Sequence, residues 1–215
     1  HLTEFWMVEP EMAFCDLEQN MDWAEKHVEY VVRHCLKHCR NELETLERDI
    51  KKLENITLPF PRITYDDAVE ILKYNNVDFK YGSDFGAADE TIISNQYQKP
   101  VMVHRWPAES KAFYMKRDPK NLNLALGIDM IAPEGYGEII GGGQREDDYE
   151  ILINRIKEHN LPIEQFKWYL DLRKFGSVPH SGFGLGIERT VAWISGTKHI
   201  RETIPYPRTM YRLEP

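Results

Sequence analysis

An α+β fold with a mainly antiparallel sheet flanked by helices follows from three observations. Strand-like and helix-like segments alternate without a regular βαβ rhythm, the helical runs are unequal in length, and the clearest strand candidates join through a short turn. That turn is Pro133, Gly135 and Gly137, between strands expected at Leu124 to Ala132 and Glu138 to Ile140.

The first 14 residues alternate as a strand does, with Phe5 and Met7 opposite Glu4, Trp6 and Val8. Asp22 to Lys52 places Trp23, Val28, Val31, Val32, Leu36, Leu43, Leu46 and Ile50 at near-helical spacing, which predicts one long surface helix. Pro59-Phe60-Pro61 ends it, and Thr64 with Asp67 forms a capping box for a helix from Tyr65 to Tyr74. Residues 75 to 98 are turn-rich, with a short helix expected at Ala87 to Asn95. Val101 to His104 and Ala112 to Met115 read as paired strands, and Asp147 to His159 and Ile163 to Lys174 as amphipathic helices. The final helix runs from Ile187 to about Ser195-Gly196.

Composition bounds the chemistry. The 215 residues can form one domain with a sizeable core, and no run is long and apolar enough to span a bilayer. The net charge of −8 argues against nonspecific nucleic-acid binding, so an RNA contact would need a local patch such as Lys198, His199, Arg201, Arg208 and Arg212. Three cysteines make no disulfide framework. His34/His38 and Cys35/Cys39 have zinc-like spacing, but on one helix the two pairs point roughly 100° apart and cannot close one tetrahedron.

Two clusters carry chemistry. Gly182, Gly184 and Gly186 fall on alternate residues, so a strand there would bare one face while Phe183, Leu185 and Ile187 anchor the other. Such a ledge suits a flat ligand or a ligand-free glycine-rich turn. The planar cation Arg189 next to it favours a nucleotide. Upstream, Asp129 and Glu138 would sit on neighbouring strands, either as a hard-cation site for Mg²⁺ or as a solvated pair at a hairpin.

These segments carry a resemblance. Arg173 to Arg189 resembles the third signature motif of class II aminoacyl-tRNA synthetases, in the aspartate/asparagine/lysine subgroup, and His1 to Glu11 resembles the second strand of that class's motif 2. Lys111 to Lys116 and Gly137 to Glu146 are similar to the asparagine-specific members rather than the aspartate-specific ones, and Tyr206 to Pro215 resembles the family's C-terminus. The match spans nearly the whole chain in the family's order. It implies a class II catalytic fold, incomplete at the N-terminus. Residues 1–215 are then expected to form part of a catalytic domain, with the anticodon-binding barrel, motif 1 and the first motif 2 strand lying upstream, and to be weakly active or inactive alone.

The implied reaction is ATP-dependent activation of L-asparagine and its ligation to tRNA(Asn). Phosphoryl chemistry of this kind needs positioning and charge neutralisation more than a protein nucleophile. The resemblance assigns Glu138 and Arg189 to catalysis, with Asp129 and Glu138 on Mg²⁺. It assigns His1, Leu2, Gly186, Ile187 and Glu188 to ATP along with Glu138 and Arg189. Glu9, Gly141, Arg145 and His180 go to the amino acid. Arg145 would bind the side-chain carbonyl and Glu9 the amide NH₂, with Glu11 an alternative for the α-amino group. A cytoplasmic homodimer, as the full-length protein, is also implied. The alternatives are an aspartate-activating relative (an aspartyl-tRNA ligase or an aspartate-amidating paralogue) and a noncatalytic binding fragment.

Overall fold

The computed structural model describes residues 2–214. Two short strands open the chain, β1 (Met7–Val8) and β2 (Glu11–Ala13), followed by helices α1 (Leu17–His38), α2 (Arg40–Thr45) and α3 (Ile50–Glu54). Strand β3 (Arg62–Thr64) leads into α4 (Tyr65–Tyr74), α5 (Ala87–Ser94) and strand β4 (Val101–Pro107). Then come β5 (Arg117–Asp118), β6 (Asn121–Ala132), β7 (Gly137–Gln144), α6 (Tyr149–Glu158), α7 (Lys167–Lys174), β8 (His180–Gly186) and α8 (Ile187–Ser195).

The sheet runs β1-β8-β7-β6-β4-β3, with β2 also on β8 and β5 on β6. Every pairing is antiparallel except β3 with β4. One face is closed by α1, whose Met21, Ala24, Val28 and Val32 pack with Met102, Ile128, Met130, Ile140, Phe183 and Leu185. On the other face Tyr65, Ala68, Val69, Leu72 and Ile93 of α4 and α5 cover Val101, Val103 and Ile131. Helical cover on that side therefore centres on β4, and the glycines of β7 and β8 lie beside it.

Several sequence expectations need correction. The single helix from Asp22 to Lys52 is three helices: it starts at Leu17, where Asp16 and Gln19 form a capping box, and breaks at Cys39 and at Glu47, whose φ is +55°. The hydrophobic period survives those breaks, which is why it read as continuous. Ala112 to Met115 is a turn whose only β contact is an isolated bridge from Met115 to Arg145, and β4 pairs with β6 instead. β3 was too short to show a period. Ile163 to Lys174 divides into a 3₁₀ turn at Ile163–Phe166 and α7. The first strand is interrupted between Val8 and Glu11. The Thr64–Asp67 capping box is present as expected.

Gly142 sits where the core face of β7 meets β8. A Cβ there would press on the Gly182 carbonyl and on Phe183 Cα, at 2.6 Å from the latter, and backbone atoms cannot rotate away. Gly142→Ala is expected to cost about 1–3 kcal/mol by overpacking, read as a lower urea midpoint at unchanged slope. An unchanged midpoint would refute this account of the close packing.

Candidate active site

The uncovered face is floored by glycine in two adjoining rows. Gly127, Gly143 and Gly182 are register partners across β6, β7 and β8, and Asp129, Gly141 and Gly184 form the next row on that face. Phe183 and Leu185 point the other way and are buried, so the bare ledge read from alternate glycines spreads over three strands. The ledge is walled by β1 and β2. Met7 and Glu9 lie over Gly184, with Glu9 Oε1 3.7 Å from where a Cβ would be, and Glu11 lies over Gly182.

Two cavities open on this floor and share Met7, Glu138 and Gly184. One, of about 550 Å³, is lined mainly by apolar groups, including Leu2, Phe5, Ile139 and Ile200, together with Gly186, Glu188 and Arg189. The other, of about 430 Å³, is charged: Glu9, Glu11, Asp84, Lys111, Asp129 and Arg145 line it with Tyr114 and Gly141. An apolar chamber and a charged one thus meet at one carboxylate.

Glu138 and Asp129 converge above Gly141. A Cβ at that glycine would lie 2.6 Å from Glu138 Oε1 and 3.7 Å from Asp129 Oδ1. A β-bulge between Met130 and Ile131 makes this possible, since it pairs Ile131 with Glu138. Burial and the neighbouring charge of Asp129 push the Glu138 carboxyl up to about 7. Burial also raises Asp129, against the pull of Lys111. Lys111 Nζ donates to Asp129 Oδ2 at 2.6 Å and stands 3.7 Å from the Trp106 ring centroid. Asp129 therefore already has a cation partner, whereas the Glu138 carboxylate has no ion pair among the described residues.

Arg189 on α8 lines the apolar cavity and donates from Nη1 to the Glu138 carbonyl at 2.6 Å. Glu188 does more than the sequence suggested. Its buried carboxylate accepts from Trp6 N at 3.0 and 3.1 Å, and Ile187 N donates to the Trp6 carbonyl at 2.9 Å. Both residues tie the segment before β1 to the start of α8, and Glu188 lines the cavity together with Gly186 and Leu2. The position expected of His1 lies outside the described residues.

In the charged cavity, Arg145 donates through Nε and Nη2 to Glu11 Oε1 at 3.0 and 2.6 Å, and its guanidinium lies 5.6 Å from the Tyr114 ring centroid. Glu11 orients the arginine, while Glu9 stands beside it over Gly184. His180 is not brought into either cavity. Its Nδ1 lies 2.8 Å from the Val178 carbonyl and its Nε2 3.4 Å from Arg173, although its own carbonyl accepts from Arg145 N at 2.9 Å. Of the basic tail, Arg208 is paired with Glu4 at 2.8 Å.

Sequence reasoning missed Lys111 and Glu90 as site residues. Lys111 had a signal, since it opens the Lys111 to Lys116 segment. Glu90 had none, because its link to Glu138 is purely tertiary: Glu90 Oε2 accepts from Glu138 N at 3.1 Å.

Comparison with known proteins adds to this geometry. The family model described as "tRNA synthetases class II (D, K and N)" matches residues 1–210. The chain is 60% identical over 215 residues to the asparagine–tRNA ligase of Desulforamulus reducens, covering all of this chain and 50% of that protein. It thus spans about half the length of the curated relatives it matches. Among solved structures, asparaginyl-tRNA synthetase from Pyrococcus horikoshii complexed with asparaginyl-adenylate is 49% identical, with a TM-score of 0.97 over 100% of this chain and 50% of that one. An aspartyl-tRNA synthetase from Entamoeba histolytica is 28% identical, with a TM-score of 0.88 over 100% of this chain and 45% of that one.

Proposed function

The chain belongs to the class II tRNA synthetases of the D, K and N group, and from that premise we propose that it carries the adenylate-forming site of an asparagine–tRNA ligase. The observation that carries this reading is the pair of cavities sharing Glu138 and Gly184. A condensation of ATP with an amino acid needs an apolar seat for a base and a charged seat for a zwitterion, with their reactive ends at one point. Residues 1–215 supply the part of the catalytic domain from the second motif 2 strand through motif 3. In the full-length protein we expect a cytoplasmic homodimer acting on tRNA(Asn).

In this assignment the nucleotide lies along the end of β8, where Gly186 lets it approach the backbone, and Arg189 neutralises its phosphates or covers its ring. The donor set over Gly141 is all carboxylate oxygen, which suits Mg²⁺. Glu138 would be the principal ligand and Asp129, shared with Lys111, the second. When bound, such a cation would supply charge neutralisation for the phosphates. Asparagine fills the charged cavity, its side-chain carbonyl toward Arg145 and its amide NH₂ toward Glu9. One carboxylate oxygen of asparagine then attacks the α-phosphorus and pyrophosphate leaves; a tRNA ribose hydroxyl later takes the asparaginyl group and releases AMP. Holding the reactants in line is the protein's main contribution.

Amino-acid-dependent ATP/pyrophosphate exchange on the full-length protein tests the reading. Exchange with asparagine and not with aspartate is expected. Exchange with aspartate would move the assignment to the aspartate-activating relatives, and exchange with neither would favour a binding module.

A further inference from the structure

Both backbone polar groups of Glu138 are held by charged side chains from separate helices. The N–H donates to Glu90 Oε2 of α5 at 3.1 Å, and the carbonyl accepts from Arg189 Nη1 of α8 at 2.6 Å. Gly137, just before it, has φ +76°, and a Cβ there would lie 2.7 Å from Glu90 Oε2. The glycine is needed twice, for the left-handed turn and for the room the carboxylate takes. Helix α5 is itself fixed, with Ile93 fully buried against the sheet and Thr91 within 3.7 Å of the space above Gly135. The turn that carries Glu138 is therefore seated on α5 at Gly135, Gly137 and Glu138.

We propose that Glu90 is a positioning residue for the divalent-cation ligand: by accepting the Glu138 N–H it aims the Glu138 carboxylate at Asp129 over Gly141. This rests on the ATP and Mg²⁺ reading above. Outer groups that orient a metal ligand typically change metal affinity when removed, although they never touch the ion. Glu90 acts on the backbone rather than on the carboxylate, so an isosteric amide, which keeps an oxygen acceptor, should substitute for it. The arrangement also links the two cavities. Arg189, which faces the nucleotide, and Glu90, which does not, grip opposite ends of the residue that would hold the cation.

The test uses the full-length protein with a nonhydrolysable ATP analogue and reads free Mn²⁺ by electron paramagnetic resonance as the ion is titrated. Glu90→Ala is expected to raise the Mn²⁺ midpoint about tenfold, with the asparagine KM in exchange unchanged, and Glu90→Gln to bind close to wild type. An unchanged midpoint in Glu90→Ala overturns the proposal, as does a Glu90→Gln midpoint as weak as that of alanine, which would point to charge rather than the backbone hydrogen bond. If wild type exchanges with asparagine while its Mn²⁺ midpoint ignores Glu90, this inference alone is lost. Absence of exchange with either amino acid overturns the functional reading beneath it.

Discussion

Glu138→Ala is expected to lower asparagine-dependent pyrophosphate exchange about 10²–10³-fold, the usual loss when one preorganised electrostatic element is removed from a reaction centre. Asp129, the other carboxylate above Gly141, cannot take over, because Lys111 already neutralises it at 2.6 Å. Exchange within a few-fold of wild type would remove Glu138 from the mechanism. Glu138→Gln separates activity from stability. The carboxyl is pushed up to about 7 by burial and by Asp129, so the folded state favours its protonated form. For an acid raised in this direction, the stabilising contribution is complete below the unfolded value and fades as pH rises through the folded one. Without divalent cation, wild-type stability should therefore decline across roughly pH 4.5 to 7. The glutamine variant lacks that decline. It should unfold at a higher temperature than wild type at pH 8 in chelator, yet fail in exchange, and a lower Tm would refute the charge argument.

The second large effect concerns choice of substrate. Aspartate and asparagine have nearly the same shape, so discrimination must come from charge and from hydrogen-bond donors. Glu9 stands over Gly184 beside the Arg145–Glu11 pair, where its carboxylate would accept from an amide and repel an acid. Sites that leave polar groups unpaired with the wrong ligand reach selectivities of about 10⁴. Glu9→Gln is expected to lower the asparagine-to-aspartate ratio of kcat/KM by about 10²-fold or more, chiefly by admitting aspartate. An unchanged ratio would shift amide reading to Glu11. Arg145→Ala should depress both amino acids together, since in the proposed seating the arginine would face the carbonyl oxygen they share.

How much of the site was legible follows from the range of each signal. The alternation Gly182, Gly184, Gly186 is a period-2 pattern within one strand; the opposite face is buried as expected, whereas Glu11 and Met7 lie over Gly182 and Gly184 and the space above Gly186 alone of the three is open. The Thr64–Asp67 capping box is a contact across three residues and is present. Longer links left no such trace. The resemblance assigned Glu188 to the nucleotide, and it does line the apolar cavity, but nothing local showed that its carboxylate also accepts from the Trp6 N–H across 182 residues of sequence. His180 adjoins the glycine run in sequence but lines neither cavity, its ring nitrogens being near Arg173 and the Val178 carbonyl.

By itself, then, the sequence determined the strand and helix periods, the glycine ledge, the acids and arginines available to a site, and the resemblance that groups them. Each is fixed by residue identity and short spacing. Tertiary structure alone decided which of those side chains meet. The bulge between Met130 and Ile131 is the plainest case. It lets Ile139 and Ile140 both enter the core while Glu138 turns to the open face. Strict alternation would have put one isoleucine on the ledge and the carboxylate in the core. That choice is made by the hydrophobic packing of α1 against the sheet, which no local pattern around Glu138 encodes.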